Sequence, residues 1–440
     1  MSILTNPVTV SVIVLCVLCL FKLNVLFAML IACVAGGIVG GIPIYAEEGD
    51  TIFGLLTGGF SGNATTALAY ILLGTFATAI ATTGLAEILS KKMTRVIGSK
   101  KFVLLGILTG IAILSQNLIP VHIAYIPILV PPMLHLMNKM KLDRRAVACC
   151  IAYGHKAPYI AIPFGFGLIF QGIIADNLSE NGMPVTVADV SAINWVLAVA
   201  MTVGLVIAVF VLYRKPREYK ELEADTSASD AISEKLEWRH YVTIVAAVVV
   251  VVAQVFTQDL ALSALAGLVV MIVFGAIKWH EIDDQISGGI KIMGLIAFVM
   301  LVAGGYANVI KATGGVDELV AAAIAAMGGS KLIAATMITL IGLLVTMGIG
   351  TSFGTVPVLA VLYVPLCQQM GFSPTATILL MSAAAALGDA GSPASDTTLG
   401  PTSGLNADGQ HDHIWDTCVP TFIAFNIPLM IGAIVVSQFV

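Results

Sequence analysis

Charged side chains are scarce in this chain of 440 residues, of which only 11% are Asp, Glu, Lys or Arg. Hydrophobic residues make up 58% of the chain, and the mean hydropathy of +0.98 lies far outside the range of soluble domains. The few Lys and Arg residues form no basic face with interleaved aromatic residues, so we expect no nucleic-acid partner. The composition predicts a multi-pass protein of the lipid bilayer.

The sequence also lacks the motifs of enzymes and of ATP-driven pumps. It contains no nucleotide-binding P-loop, no nucleophile elbow and no zinc-ligand spacing. Its seven Cys residues lie in or beside apolar runs, where Cys acts as a small hydrophobe. The start of the chain has no basic segment and no cleavage site, so we interpret the apolar run from Pro7 as a membrane segment. We expect a protein that is not an enzyme and has no cofactor.

One charged segment, residues 214–240, divides the apolar runs into two sets. Short matches relate the two sets at a shared offset of roughly 230 to 234 residues, among them Gly154-His155 with Gly388-Asp389. Internal repeats of this kind are typical of secondary transporters. We therefore predict a first membrane repeat (1–213), a solvated cytoplasmic linker and a second membrane repeat (241–440).

Positive charges indicate how the two repeats are oriented. The loops 91–101 and 138–145 carry five and four Lys or Arg residues, whereas 368–375, the counterpart of the second loop, carries none. Cytoplasmic loops collect Lys and Arg, so the second repeat should be inverted relative to the first. The same asymmetry predicts that 102–136 leaves and returns to the same side, as a re-entrant hairpin or two closely coupled spans that turn near 117–120. By symmetry, 332–367 should do the same from the outside and turn at 348–354. The predicted fold class is an all-α polytopic membrane protein with two inverted-topology repeats, re-entrant hairpins and broken helices.

Polar residues interrupt the apolar sequence twice in each half. The four interruptions are Ser115–Pro120, Tyr153–Pro158, Gly350–Thr355 and Gly388–Thr398. Broken helices in corresponding positions indicate a binding site near the membrane midplane. Hydroxyl, amide and carboxylate oxygens are ligands for a small hard cation. The candidate ligands are Asn117, Thr351, Ser352, Ser392, Ser395 and Thr397, with Asp389 or Asp396 supplying the negative charge.

The first half places His155 and Lys156 where the second half has an acidic residue. A Lys at membrane depth can pair with Asp389 or Asp396, bind a substrate carboxylate, or release a proton when the site fills. The alternative for Lys156 is a side chain that extends to the membrane interface. For His155 the alternatives are proton transfer and hydrogen-bonded packing.

A hydrophilic run near the C-terminus, Asp408-Gly-Gln-His-Asp-His413, has the composition of a metal-binding loop. Because it is short and lies between apolar runs, we expect a solvated loop there.

The second-half motifs resemble the bacterial Na+/H+ antiporter family of the NhaC type. They are Gly350-Thr-Ser-Phe-Gly-Thr355 and Gly388-Asp-x-x-Ser-Pro-x-Ser-Asp-Thr-Thr398. Residues 6–89 look like the permease-like members of that family, some of which are regarded as amino-acid (histidine) transporters. The resemblance implies the ion-transporter superfamily fold, the bacterial inner (plasma) membrane and frequent homodimers. The first-half Gly154-His-Lys-Ala-Pro158 departs from the family's acidic pattern.

The resemblance also implies which residues bind the ion. The site residues it implies are Thr351, Ser352, Asp389, Ser392, Ser395, Asp396 and Thr397, and among them Asp389, Asp396, Thr351 and Ser395 are the expected Na+ ligands.

Two functions agree with these features. The first is a cation-coupled secondary transporter that exchanges Na+ against H+ by alternating access. The alternative is a Na+- or H+-coupled permease for a small carboxylate-bearing solute such as histidine, in which Lys156 binds the carboxylate. A channel is disfavoured because a duplicated single chain offers no ring-like filter. Transport driven by imposed Na+, H+ and amino-acid gradients would distinguish the two functions.

Overall fold

The computed structural model describes residues 3–21, 23–47, 49–85, 88, 100–118, 125–164, 166–220, 236–257, 259–326, 329–349 and 352–440. These residues are helical with irregular connections, and none of them lies in a β-strand. The helices before the linker are Pro7–Leu20, Val25–Val39, Ile52–Gly58, Ala64–Thr83, Lys101–Ile113, Ile126–Leu129, Leu134–Lys139, Arg144–Ala161, Phe166–Glu180 and Val187–Ile207. Those after it are Trp238–Thr257, Leu260–Val273, Ile282–Ala312, Gly315–Ala326, Lys331–Ile349, Ser352–Gln369, Pro374–Ala386, Asp396–Leu405, Val419–Thr421 and Ile427–Val436.

Several helices are long and apolar enough to cross a membrane. Five pass this test within the described residues, and the pair Arg144–Ala161 and Phe166–Glu180, bent by 48°, passes it as a broken span or a re-entrant loop. Large apolar side chains face outwards along the spans that contain Val187–Ile207 and Trp238–Thr257, for example Phe210 and Val248. Outward-facing apolar rows are expected where lipid, not water, surrounds the helix. The chain is therefore an all-α polytopic membrane protein, as predicted.

The order of packing in the first half recurs in the second. The first two helices, Pro7–Leu20 and Val25–Val39, pack together, as do the two that follow the linker. Lys101–Ile113 packs against Arg144–Ala161, and Lys331–Ile349 packs against Pro374–Ala386. This recurrence fits a duplication, while the inverted orientation and the boundaries at 213 and 240 stay predictions.

Glycine allows the two central helices to approach closely. Ala64–Thr83 and Ile282–Ala312 lie against each other, and a Cβ atom at Gly74 would come within 2.6 Å of the carbonyl oxygen of Gly289. Small residues at such crossings let helix backbones meet in a membrane, where packing rather than hydrophobic exclusion drives association. These two helices form the centre of the bundle, and each belongs to a different half of the chain.

The predicted break at Tyr153–Pro158 is wrong. Arg144–Ala161 is one helix that includes Pro158, and it ends before the extended Ile162. Ile162 is extended because it precedes Pro163, whose ring disfavours the helical conformation in the residue before it. His155 and Lys156 therefore lie on a regular helix.

The break in the second half lies where it was predicted. Helix Pro374–Ala386 ends at Leu387, and the next helix begins at Asp396. Gly388 and Gly391 have φ values of 84° and 101°, which favour glycine and turn the chain away from the helix axis. The turns of the two predicted hairpins fall partly outside the described residues, because 119–124 and 350–351 are not among them. The re-entrant hairpins stay a prediction.

Candidate functional site

Lys156 and Asp389 form an ion pair inside the helix bundle. Lys156 lies on Arg144–Ala161, Asp389 lies in the second-half break, and the Nζ atom contacts carboxylate oxygen Oδ2. The two residues are 1% and 6% exposed. A buried charge in a membrane protein requires a partner, and each of these residues provides it for the other. The extension of Lys156 to the membrane interface is thereby excluded in this structure.

Hydroxyl groups complete the surroundings of Oδ2. Ser352 donates its hydroxyl hydrogen bond to Oδ2 of Asp389 at 2.7 Å and accepts one from Nζ of Lys156 at 2.9 Å. The Tyr159 hydroxyl accepts from the same Nζ at 2.7 Å and donates to Ser352 at 3.0 Å. Ser352 is the first residue of its helix, so its side chain reaches the break from the start of Ser352–Gln369. The ammonium thus lies among three oxygen atoms.

The other carboxylate oxygen faces the start of helix Asp396–Leu405. Ser395 donates a hydrogen bond to Oδ1 of Asp389, and the Thr397 hydroxyl lies 3.4 Å from the same atom. Ser395 is the N-cap of this helix, because its Oγ also accepts from the Thr397 backbone N–H at 3.1 Å. The polar cap therefore holds the Asp389 carboxylate close to the positive end of a helix dipole.

Asp396 is a second carboxylate beside the ion pair. The Thr397 hydroxyl lies 3.3 Å from its Oδ1, so this hydroxyl stands between the two carboxylates. The Tyr70 hydroxyl, from the central helix Ala64–Thr83, lies 3.4 Å from Oδ2 of Asp396. One ammonium and two carboxylates give the cluster a formal charge of −1, which favours a cation over an anion.

Other predicted residues lie away from the ion pair or outside the described residues. Ser392 is buried, but its Oγ accepts from the Ala394 N–H at 3.2 Å and supports the turn of the break. His155 points to Tyr125, whose hydroxyl is 3.2 Å from Nε2. For Asn117 the structure describes only the backbone, in the π-helical turn Leu114–Leu118, and Thr351 lies outside the described residues.

Two tyrosines of the site were missed by the sequence reasoning. Tyr159 follows Lys156 by three residues on one helix, a spacing that places both side chains on the same face. This spacing was a usable signal. Tyr70 comes from a distant helix, and nothing in its local sequence marks it.

A second charged cluster, the Arg144 cluster, lies at the other end of the Lys156 helix. The Arg144 guanidinium donates to Asp408 at 2.6 Å and to the Leu405 carbonyl at 2.9 Å, and its side chain has no exposed surface. Partial burial would raise the pKa of Asp408, but the paired guanidinium lowers it below its usual value. Arg217, from the start of the linker, pairs with Asp416 at 2.5 Å. This cluster ties the Lys156 helix to the chain that follows helix Asp396–Leu405.

The loop 408–413 belongs to this cluster. His411 is 2% exposed, and burial lowers its pKa to about 3. The prediction of a solvated loop is therefore wrong for Asp408 and His411, because Arg144 recruits the loop as a counter-ion. Within the described ranges, no three His, Cys, Asp or Glu side chains are grouped so that they could hold a metal ion.

Comparisons with known proteins identify the family of the chain. A model described as Na+/H+ antiporter family matches residues 149–437, and one described as Na+-H+ antiporter family matches residues 6–97. An uncharacterized membrane protein of Vibrio parahaemolyticus is 46% identical over 97% of this chain and 98% of its own length. A Bacillus subtilis protein named "Putative amino acid transporter YuiF" is 45% identical over 85% of this chain and 87% of its own. The crystal structure of the Alcanivorax borkumensis YdaH transporter aligns over 88% of this chain and 87% of its own at 12% identity, with a TM-score of 0.45.

The family matches and the membrane-spanning helices show that the chain is a secondary transporter and not an enzyme. The family match covers more than half of the chain and includes both residues of the ion pair. The chain belongs to the Na+/H+ antiporter family.

Proposed function

We propose that the chain exchanges Na+ for H+ by alternating access, and that the two cations compete at Asp389. The observation that carries this proposal is the Lys156 ammonium bound to the carboxylate around which the other oxygen donors converge. A tethered ammonium and a free Na+ cannot occupy that position together. Competition for one carboxylate is sufficient to couple the two ions.

The oxygen atoms of the site suit Na+ as the transported ion. Asp389 offers two carboxylate oxygens, and the hydroxyls of Ser352, Ser395 and Thr397 lie within hydrogen-bond distance of them. Hard cations of this size prefer such ligands. Asp396 remains as a second negative charge beside the site. Thr351 precedes Ser352 in the sequence and remains an expected ligand, which the family motif alone supports.

The proposed exchange begins when Na+ takes the Asp389 carboxylate and Lys156 loses its counter-ion. A buried ammonium without a carboxylate is costly, so it releases its proton to water on the open side. After Na+ has left on the other side, Lys156 takes up a proton there and returns to Asp389. One proton replaces one Na+, and the formal charge of the site is unchanged. The Tyr159 hydroxyl keeps the neutral amine in place by hydrogen bonding.

Purified protein in liposomes tests this proposal. An outward-directed Na+ gradient should acidify the lumen of vesicles that contain a pH-sensitive dye, and removal of Na+ should abolish the signal. Asp389→Asn should abolish exchange, because the neutral amide binds neither cation with comparable strength. The control is Asp189→Asn, the same substitution at an exposed capping residue, which should leave exchange unchanged. Exchange by Asp389→Asn equal to that of the parent would refute the proposal.

Coupled amino-acid uptake is a second candidate, and the same lysine favours it. A substrate carboxylate could hold Lys156 after Na+ has taken Asp389, so that the lysine keeps its proton. The name of YuiF, which matches most of this chain, points to the same class of substrate. Under this alternative, a Na+ or H+ gradient drives accumulation of a labelled amino acid such as histidine, and Lys156→Gln abolishes the accumulation. Exchange without any amino acid present would favour the first candidate.

We further propose that the chain acts in the bacterial inner membrane as a homodimer. This proposal rests on the family alone. Native mass spectrometry of the detergent-solubilised protein tests it, since a monomer as the sole species at micromolar concentration would contradict it.

A further inference from the structure

The side chain of Asn426 spans the backbone on both sides of Asp389. Its Oδ1 accepts a hydrogen bond from the Gly388 N–H at 3.2 Å, and its Nδ2 donates to the Ala390 carbonyl at 2.7 Å. Asn426 is 2% exposed and ends the π-helical turn Phe422–Asn426. Such turns interrupt the regular helix and are frequent at functional sites. One amide thus binds a backbone donor of the residue before Asp389 and a backbone acceptor of the residue after it.

The break in the second half needs this support. Between Leu387 and Asp396 the backbone leaves the helical pattern and makes turn hydrogen bonds such as that from the Ser392 N–H to the Asp389 carbonyl, and at membrane depth each unsatisfied polar group costs several kcal/mol. Asn426 satisfies one donor and one acceptor. Because Asp389 lies between these two groups along the chain, the amide also restrains the backbone from which the carboxylate extends.

The first half contains a related amide that makes one backbone hydrogen bond where Asn426 makes two. Asn194, on Val187–Ile207, donates to the Ile160 carbonyl at 3.1 Å, just before the first-half break. Its Oδ1 is buried and has no hydrogen-bond partner among the described residues. If the helix starts at Arg144 and Pro374 are matched, the counterpart of Gly388 is Pro158, which has no N–H to donate. Asn194 therefore supports a break without bracketing an acidic residue.

We propose that Asn426 is a positioning residue, which holds the Asp389 carboxylate in place for the cation through both hydrogen bonds of its amide. The effect on Na+ binding that is expected below rests on the proposed function. Asn194 provides the matched control, because it has the same side chain, similar burial and one bond of the same kind.

The first test compares Asn426→Leu with Asn194→Leu. Leu has a similar volume but no hydrogen bond to offer. Loss of both bonds at Asn426 should raise the Na+ concentration for half-maximal stabilisation by about 10-fold or more, whereas Asn194→Leu should change it by less than about 3-fold. Both variants should lower the melting temperature. Equal Na+ affinities in the two variants would refute the effect of Asn426 on cation binding, and the labelling measurement below tests the positioning of Asp389 by itself.

Asn426→Asp keeps the proposal testable if the Leu variant does not fold. A protonated carboxyl accepts from Gly388 and donates to Ala390, so it can replace both bonds, whereas an ionised carboxyl has no donor. At each pH, the Na+ concentration for half-maximal stabilisation of this variant is divided by that of the parent. This ratio should be near one at low pH and should rise as the pH increases. A ratio that does not change with pH would contradict positioning by the amide.

A third measurement does not depend on Na+. If Asn426 positions Asp389, its loss should weaken the ion pair and expose a more reactive Lys156 amine. The rate at which an amine reagent labels Lys156, followed by mass spectrometry, should rise about 10-fold in Asn426→Leu and little in Asn194→Leu. Increased labelling without any Na+ effect would refute the cation exchange and support the positioning. Unchanged labelling would refute the positioning itself.

Discussion

Lys156 and Asp389 form a buried ion pair although they belong to different halves of the chain. The lysine comes from a continuous helix and the aspartate from a broken one, so the site is asymmetric within a repeated architecture. Rearrangement of either half changes the position of one partner relative to the other. In the proposed exchange, an ion pair between the halves therefore links the occupancy of the site to the conformation of the bundle.

Ser352 should contribute to cation binding, whereas Ser392 should not. Both side chains are buried, but only Ser352 contacts Asp389 and Lys156, while Ser392 accepts from the Ala394 N–H. Ser352→Ala should weaken Na+-dependent stabilisation by about 10-fold or more, because a bond to a charged group contributes about 1.5–3 kcal/mol. Ser392→Ala should lower the melting temperature with Na+ affinity near that of the parent. Thermal unfolding across a Na+ titration measures both effects, and the reverse order would disprove this assignment.

Two exposed loops should lie on opposite sides of the membrane if the repeats are inverted. Lys139 and Gln368 are both exposed near the ends of helices Leu134–Lys139 and Ser352–Gln369, which lead into segments with opposite Lys and Arg content. In a cysteine-free background, Lys139→Cys should react with an impermeant thiol reagent only from the cytoplasm, and Gln368→Cys only from outside. Labelling of both from one side would end the inverted-repeat prediction.

Removal of Asp408 should destabilise the protein strongly. Its side chain is 5% exposed and that of Arg144 is fully buried, so Asp408→Asn leaves an unpaired buried charge that costs about 3–5 kcal/mol. The control is Glu218→Gln, which breaks the exposed pair with Lys141 and should leave the melting temperature nearly unchanged, because water screens such pairs. Differential scanning fluorimetry compares the two. Similar melting temperatures would show that the Arg144 cluster is not a structural clamp.

Acid should weaken the Arg144 cluster through His411. Burial lowers the pKa of His411 to about 3, so as the pH falls the unfolded chain binds this proton first. The stability due to neutral His411 is complete above about pH 6.5 and decreases by up to about 1.4 kcal/mol per pH unit below it. His411→Gln should reduce this slope between about pH 6.5 and 5. His280→Gln, at an exposed position, should leave the slope unchanged, and equal slopes in all three proteins would contradict the prediction.

Part of the site could be read from the sequence because glycine, proline and acidic residues act locally. Gly388 and Gly391 mark the second-half break, and Asp389 stands between them. The first-half break was misplaced because Gly154 and Pro158 were given more weight than Ile162-Pro163, although the residue before a proline is the stronger signal. Contacts between distant helices, such as that of Tyr70 with Asp396, depend on packing and leave no local pattern.

The Arg144 cluster also depends on contacts that the local sequence does not predict. Burial of Asp408 follows from a partner far away in the sequence, so a hydrophilic loop that looked solvated is in fact the counter-ion of a buried guanidinium. Charge pattern alone predicts exposure, and only the fold reveals the exception.

Proton release on Na+ binding is the most direct test of competition at Asp389. NaCl is added to purified protein in weakly buffered detergent solution, with choline chloride as the control, and a pH indicator records the protons. The parent should release about one proton for each Na+ bound, because the displaced Lys156 ammonium gives up its proton. Lys156→Gln should bind Na+ without any release. Na+ binding by the parent without proton release, or equal release from Lys156→Gln, would contradict the account.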